Sequence, residues 1–183
     1  GYLPQKVEKP VQFLIAALSW PLRVIGRQGR LPWHIPLELR LFREVTWGGI
    51  LVMGRRTYES LGRRTLPGRT LWVISQGLSP DPGNHEVVIF PSWEAVVNAL
   101  PGAQKPVFFA GGETVFRKAL ELPTLERLYL SWIMAEVAGD TYFPPIPEIW
   151  QPYQWEVFSP GPGVPLPFIF ATYKRIPPET AFS

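Results

Sequence analysis

Cysteine is absent from the 183-residue chain, which excludes disulfides and thiolate metal sites outright. Histidine is nearly absent. His34 and His85 are the only two, nothing pairs them at ligand spacing, and no metal is expected. Aspartate is represented by Asp81 and Asp140 alone, and no Ser–His–Asp arrangement is legible. No apolar run is long enough to cross a bilayer, and no secretory signal is recognisable, so a cytoplasmic protein without a membrane partner is expected. No block of like charge accompanies the net charge of +3, which leaves nucleic-acid binding without support. Internal repeats and low-complexity tracts are also missing.

What is present describes one globular domain. Hydrophobic residues make up 46% and charged residues 18%, enough to bury a core at this length. The polar, proline-rich residues 1–10 read as an N-terminal extension, 11–176 as the folded domain and 177–183 as a tail. A mildly basic surface suits an anionic small ligand. Arginine far outnumbers lysine and there are 22 prolines. Genomic base composition explains that bias as well as heat adaptation does.

Strand and helix signals alternate along the chain. Val11 to Leu18 is a near-continuous apolar run and reads as a buried strand. Ser19 to Trp33, broken by Pro21, Gly26, Gly29 and Pro32, reads as a loop. Pro36 opens a helix, with Leu37, Leu41 and Val45 spaced as one face. Further strands are expected at Gly49–Met53, Arg69–Ser75, Val87–Phe90, Val107–Ala110 and Leu125–Ile133. Helices are expected at Arg56–Leu61, from an N-cap at Ser92 to Leu100, and after Gly111-Gly112 to Leu120. Trp155–Phe158 and Phe168–Arg175 read as a closing hairpin. This pattern is α/β: a single domain with a mostly parallel twisted sheet of about eight strands, an antiparallel C-terminal edge and about four helices.

Ligands of open α/β sheets gather at the carboxyl ends of strands, and three segments suit that position. Gly54-Arg55-Arg56-Thr57 joins a strand to a helix start, where free N–H groups and arginine forks can hold phosphate. The plain alternative is two solvated arginines in a turn. Gly111-Gly112-Glu113-Thr114-Val115-Phe116 is a second strand-to-helix junction able to cradle a pyrophosphate. It matches neither the GxGxxG fingerprint nor a Walker loop, and a tight turn would also explain it. In the third segment, Glu38 stands in the first turn of its helix, behind Trp33 and four residues before Phe42. Ile35 occupies the cap position, so no capping box accounts for Glu38. A carboxylate among apolar neighbours suits a cationic or amidine-like ligand; favourable interaction with the helix dipole is the alternative. Arg69 could clamp a ligand carboxylate bidentately or simply be exposed on its strand.

In their order and spacing these segments resemble the dihydrofolate reductases over about Val11 to Ile176. The matching motifs are Leu14-Ile15-Ala16-Ala17; Val24-Ile25-Gly26 with Leu31-Pro32-Trp33; Glu38-Leu39 with Phe42-Arg43; and Met53 to Thr57 with Glu59 to Gly62. They continue through Leu66-Pro67-Gly68-Arg69, Gly111-Gly112 with Val115-Phe116, Leu128 to Ser131, and Gly139 to Pro144. The resemblance implies NADPH-dependent reduction of dihydrofolate to tetrahydrofolate by a monomer, with antifolates as inhibitors. It implies Glu38, Trp33 and Leu31 as catalytic residues, Glu38 holding the pterin with Ser131 and water supplying the proton for N5. It implies a substrate site of Ile15, Ala17, Leu39, Phe42, Arg43, Leu61, Leu66, Arg69, Ala110 and Phe116, Arg69 clamping the glutamate carboxylate. The implied cofactor set is Ala17, Ile25, Gly54, Arg55, Arg56, Thr57, Ser75, Gln76 and Gly111 through Phe116, with Arg55 or Arg56 on the 2′-phosphate.

The chain departs from the family pattern in places. An extra residue lies near Trp20-Pro21, Gln76 follows Ser75, Ala110 replaces a larger aliphatic residue, and Glu38 stands where bacterial members usually carry Asp. The competing readings are the related reductase of riboflavin synthesis, against which Trp33, Glu38 and Arg69 argue, and a non-catalytic NADPH-binding relative.

Overall fold

A computed structural model describes residues 11–177; the expected N-terminal extension and all but the first residue of the expected tail lie outside them. Eight strands form one sheet in the order β5-β4-β3-β6-β1-β7-β10-β9. In chain order these are β1 (Gln12–Ser19), β3 (Ile50–Gly54), β4 (Thr70–Ile74), β5 (Val87–Phe90), β6 (Val107–Phe109), β7 (Leu125–Ile133), β9 (Trp150–Phe158) and β10 (Phe168–Arg175). The pairs from β5 to β7 are parallel. Antiparallel pairing of β10 with β7 and β9 closes one edge. The helices are α1 (Pro36–Thr46), α2 (Arg55–Ser60), α3 (Trp93–Ala99) and α4 (Glu113–Leu120).

Local chemistry accounts for most of the boundaries. Central β1 has a neighbour on each side and is apolar almost throughout, as a strand covered on both faces must be. Pro36, whose fixed φ suits a first helical position, starts α1. The Ser92 hydroxyl accepts from the Ala95 N–H at 3.1 Å and caps α3.

Two expectations are corrected. Ser19–Trp33 is not all loop: β2 (Val24–Gly26) pairs with β8 (Thr141–Tyr142) in a separate two-stranded ribbon. Three residues beside breakers carry too little period to mark a strand, and the partner is over a hundred residues away. The closing hairpin is also longer, with β9 beginning at Trp150 rather than Trp155. Gln151, Pro152 and Gln154 hide it, because an edge strand exposed on both faces does not alternate.

The pleat sends alternate residues to opposite faces. Leu14, Leu18, Val52, Phe109 and Leu130 join Val96 of α3 and Val115, Phe116 and Ala119 of α4 in one cluster. Ile15, Leu51, Met53, Val73 and Phe108 join Tyr58 of α2 in a second, against which Phe42 and Val45 of α1 pack. Leu37 and Leu41 instead lean on a third cluster of Trp33, Ile35, Ile133, Val164 and Phe168. The expected face of Leu37, Leu41 and Val45 is thus shared between two clusters, with α1 straddling the gap.

Candidate active site

Glu38 lies on α1 between the two clusters and is only 7% exposed. Its carboxyl is pushed above the usual carboxylate range by burial, while the Ser131 hydroxyl pulls partly the other way. Ser131 is buried on β7, in register with Ala17 of β1 and Phe170 of β10. Ile15 and Tyr129 stand one pleat repeat earlier on the same face. The fold therefore brings Glu38 of α1 together with Ala17 and Ile15 of β1 and with Ser131 of β7, 93 residues further along the chain. Trp33 is buried in the third cluster and its indole Nε1 has no partner among the described residues. Leu31 is 48% exposed and Leu39 42%. Phe42, Leu61, Leu66 and Ala110 are half-buried against the second cluster. Around one buried acid lies a rim of apolar side chains that folding has left incompletely covered.

Arg69 is 5% exposed and lies beside this rim. Its Nε donates to the Pro67 carbonyl at 3.0 Å and its Nη1 to Thr46 Oγ1 at 3.3 Å. The Trp47 ring lies 6.0 Å from Arg69 Cζ and 5.1 Å from Arg43 Cζ. Burial, and then the charge of Arg43, lower the Arg69 pKa. None of the three ion pairs among the described residues includes Glu38 or Arg69, so each buried charge lacks an ionic partner among those residues. Thr46 and Trp47 escaped the sequence reading. A threonine closing a helix and a tryptophan after it carry no local sign that an arginine 23 positions away will settle on them.

The two glycine junctions meet because β3 and β6 are parallel neighbours. Gly54 N–H donates to Gly111 carbonyl O at 2.9 Å. Gly111 has φ 119°, and the Gly111–Gly112 peptide is cis. A β-carbon on Gly111 would stand 3.3 Å from the Phe116 ring and 3.5 Å from Thr57 Oγ1, so only glycine leaves this cradle open. Gly112 caps α4 without a side chain, leaving the N–H groups of its first turn for an anion. Glu113 pairs with Arg117 at 3.2 Å. Val115 and Phe116 turn inward, Phe116 lying 4.9 Å from the Phe143 ring, so their side chains belong to the first cluster. At the far end, Arg55 and Arg56 are exposed, Ser75 is buried and Gln76 is exposed. A glycine cradle, free helix N–H groups and arginines fit the phosphates of a dinucleotide.

The β2–β8 ribbon holds the segment before Trp33. Gln28 N–H donates to Asp140 Oδ2 at 2.8 Å, Asp140 N–H to Gly26 O at 3.0 Å, and Phe143 N–H to Arg23 O at 2.7 Å. Ile25 packs partly against the first cluster. A shallow groove of about 480 Å³ between α3 and α4, lined by Trp93, Val97, Lys118 and Leu122 among others, belongs to the opposite face from Glu38.

Comparison with known proteins agrees with this geometry. The dihydrofolate reductase family model matches residues 13–175. The chain is 42% identical over 131 residues to a type 3 dihydrofolate reductase of Salmonella typhimurium, covering 72% of this chain and 76% of the relative. It is 40% identical over 135 residues to the Haemophilus influenzae dihydrofolate reductase, covering 73% and 77%. The dihydrofolate reductase from Enterococcus faecalis, solved complexed with NADP(H) and RAB-propyl, superposes with TM-score 0.81 at 30% identity, over 92% of this chain and 98% of that one. With the family model matching almost the whole described chain and relatives at 40% identity or more, the chain belongs to the dihydrofolate reductases, oxidoreductases that reduce dihydrofolate with NADPH.

Proposed function

We propose that the cleft around Glu38 reduces 7,8-dihydrofolate and that the residues divide the work as follows. Glu38 accepts hydrogen bonds from the pterin 2-amino group and N3, with Ser131 supporting it. This orients the ring and favours protonation at N5, the proton arriving from water beside Leu31 and Trp33. NADPH, when bound, supplies the hydride for C6. Ile15, Ala17 and Ala110 floor the reacting end, and Leu39, Phe42, Leu61 and Leu66 enclose the aryl group. Arg69, steadied by Thr46 and Trp47, takes the tail carboxylate with Arg43 nearby. Gly54 to Thr57 and Gly111 to Thr114 hold the cofactor's phosphates, while Val115 and Phe116 shape the second junction from beneath. Ala17 and Ile25 face the nicotinamide, and Arg55, Arg56, Ser75 and Gln76 face the 2′-phosphate. We place the enzyme in the cytoplasm as a monomer, since every proposed role falls on one chain.

The observation carrying this reading is a buried carboxylate, raised by desolvation and unmatched by any cation among the described residues. Burying an acid without a partner is costly, and a ligand with an amidine-like edge removes that cost. NADPH oxidation by the purified protein is the test: it should require dihydrofolate. Activity confined to a ribosylaminopyrimidine would replace this substrate with that of the riboflavin-pathway reductase.

A further inference from the structure

Glu59 sits between two arginines beside the end of the cleft assigned above to the cofactor's ribose phosphate. Its Oε1 accepts from Arg55 Nε at 2.7 Å and from Arg63 Nη2 at 3.2 Å. Both pairs are four residues apart and solvent-exposed, an arrangement worth little to stability. Its interest lies in what it does to the rest of the Arg55 side chain. Glu59 takes Nε, the inner donor. The terminal Nη1 and Nη2 edge makes no hydrogen bond among the described residues.

That guanidinium lies against the loop after β4. A β-carbon built on Gly77 would stand 2.5 Å from Arg55 Nη1 and 3.7 Å from Cζ. The loop itself is fixed. Ser75 Oγ accepts from the N–H groups of Gly77 and Leu78, each at 3.2 Å, and Ser75 N–H donates to Phe90 O at 2.9 Å. Arg55 can occupy this place because residue 77 has no side chain. Gly77 lies outside the left-handed backbone region, so its backbone does not demand glycine. The space over it does.

We propose that Gly77 and Glu59 are specificity-determining positioning residues: the bare Gly77 admits the Arg55 guanidinium, and Glu59 holds its Nε so that the terminal edge meets the ribose 2′-phosphate. Preference for NADPH over NADH is then set by two residues that need not touch the phosphate. This inference rests on the cofactor assignment above, and the test separates the two.

Binding without turnover is the readout, by calorimetry with NADP⁺, NAD⁺, 2′,5′-ADP and 5′-ADP. In Gly77→Ala the new methyl displaces only the tip of a flexible side chain, so the fold survives. NADP⁺ and 2′,5′-ADP should weaken by about tenfold, while NAD⁺ and 5′-ADP stay within about twofold. Glu59→Ala should do the same, and Glu59→Gln, which keeps an acceptor oxygen, should retain most of the preference. In steady state the loss should fall on the NADPH KM rather than on kcat. If Glu59→Ala and Glu59→Gln both tighten NADP⁺, Glu59 is a competing charge and the proposal falls. If Arg55→Gln alone loses the preference while Gly77→Ala and Glu59→Ala match the unaltered enzyme, the proposal falls and the cofactor assignment stands. If Arg55→Gln changes nothing, both fall.

Discussion

The face of the sheet under α3 and α4 and the face under α1 and α2 belong to the same strands, yet among the described residues only the second buries charged side chains. Under α3 and α4, Val96, Phe109 and Ala119 have no exposed surface, and the cluster runs unbroken from β4 to β10. Under α1 and α2 the order of burial is partly inverted. Phe42, Val45, Leu61 and Leu66 are left half-covered, while Glu38 and Arg69 are buried. Hydrophobic burial alone would produce the opposite arrangement. The difference shows which face is organised for the protein's own stability and which for a ligand that completes it.

Substitutions on the charge-burying face should therefore injure function, and those under α3 and α4 should injure folding. The largest functional effect is expected from Glu38→Gln, which removes the charge with little change of shape. Steady-state turnover with dihydrofolate should fall roughly 10²–10⁴-fold, while NADPH affinity stays close to that of the unaltered enzyme. Under α3 and α4, Phe109→Ala should cost about 3–5 kcal/mol in denaturant unfolding, with catalysis retained in whatever fraction stays folded. Arg69→Ala should raise the dihydrofolate KM roughly 10–100-fold, with a much smaller change in kcat. Asp140→Ala, which frees the Gln28 N–H of the loop before Trp33, should lower kcat several-fold and leave equilibrium stability nearly unchanged.

How far this arrangement could be read from sequence depended on distance along the chain. Helix starts rest on one or two residues acting locally, so Pro36, Ser92 and Gly112 were legible, as were the two glycine junctions. Glu38 stood out because no capping pattern explained it. Arg69 stood out as a possible carboxylate clamp at the start of its strand, and the motifs of a known family then supplied Ser131. What holds the two arginines in place was not legible: Thr46 and the Trp47 ring around Arg69, and Glu59 and Gly77 around Arg55. The ribbon of β2 and β8 joins two short segments, each too brief to show a period. Phe116 and Val115, read as ligand contacts, face inward because residues opening a helix beside a glycine pair can turn either way until the sheet beneath them is known.

The charge-burying face also predicts a pH dependence, the smallest of the expected effects. Burial raises the Glu38 pKa in the folded state, so above its unfolded value the native protein holds more protons than the unfolded chain. Its contribution to stability is complete below the ordinary carboxylate range and is lost as pH rises through the folded pKa. Glu38→Gln should therefore stabilise the ligand-free protein at neutral pH, and the gain should vanish in acid. Thermal unfolding at several pH values would show it, and a gain that persisted in acid would point to packing instead of charge.

The ionisation of Glu38 tests the central claim most directly. Difference infrared spectra of the unaltered protein and Glu38→Gln, titrated with and without a diaminopyrimidine antifolate, isolate that one carboxyl band. In the free protein it should titrate above the ordinary carboxylate range, and with the antifolate bound it should remain a carboxylate well below that midpoint. A band that titrates as an exposed glutamate does, and at the same pH whether or not the ligand is bound, would contradict the account.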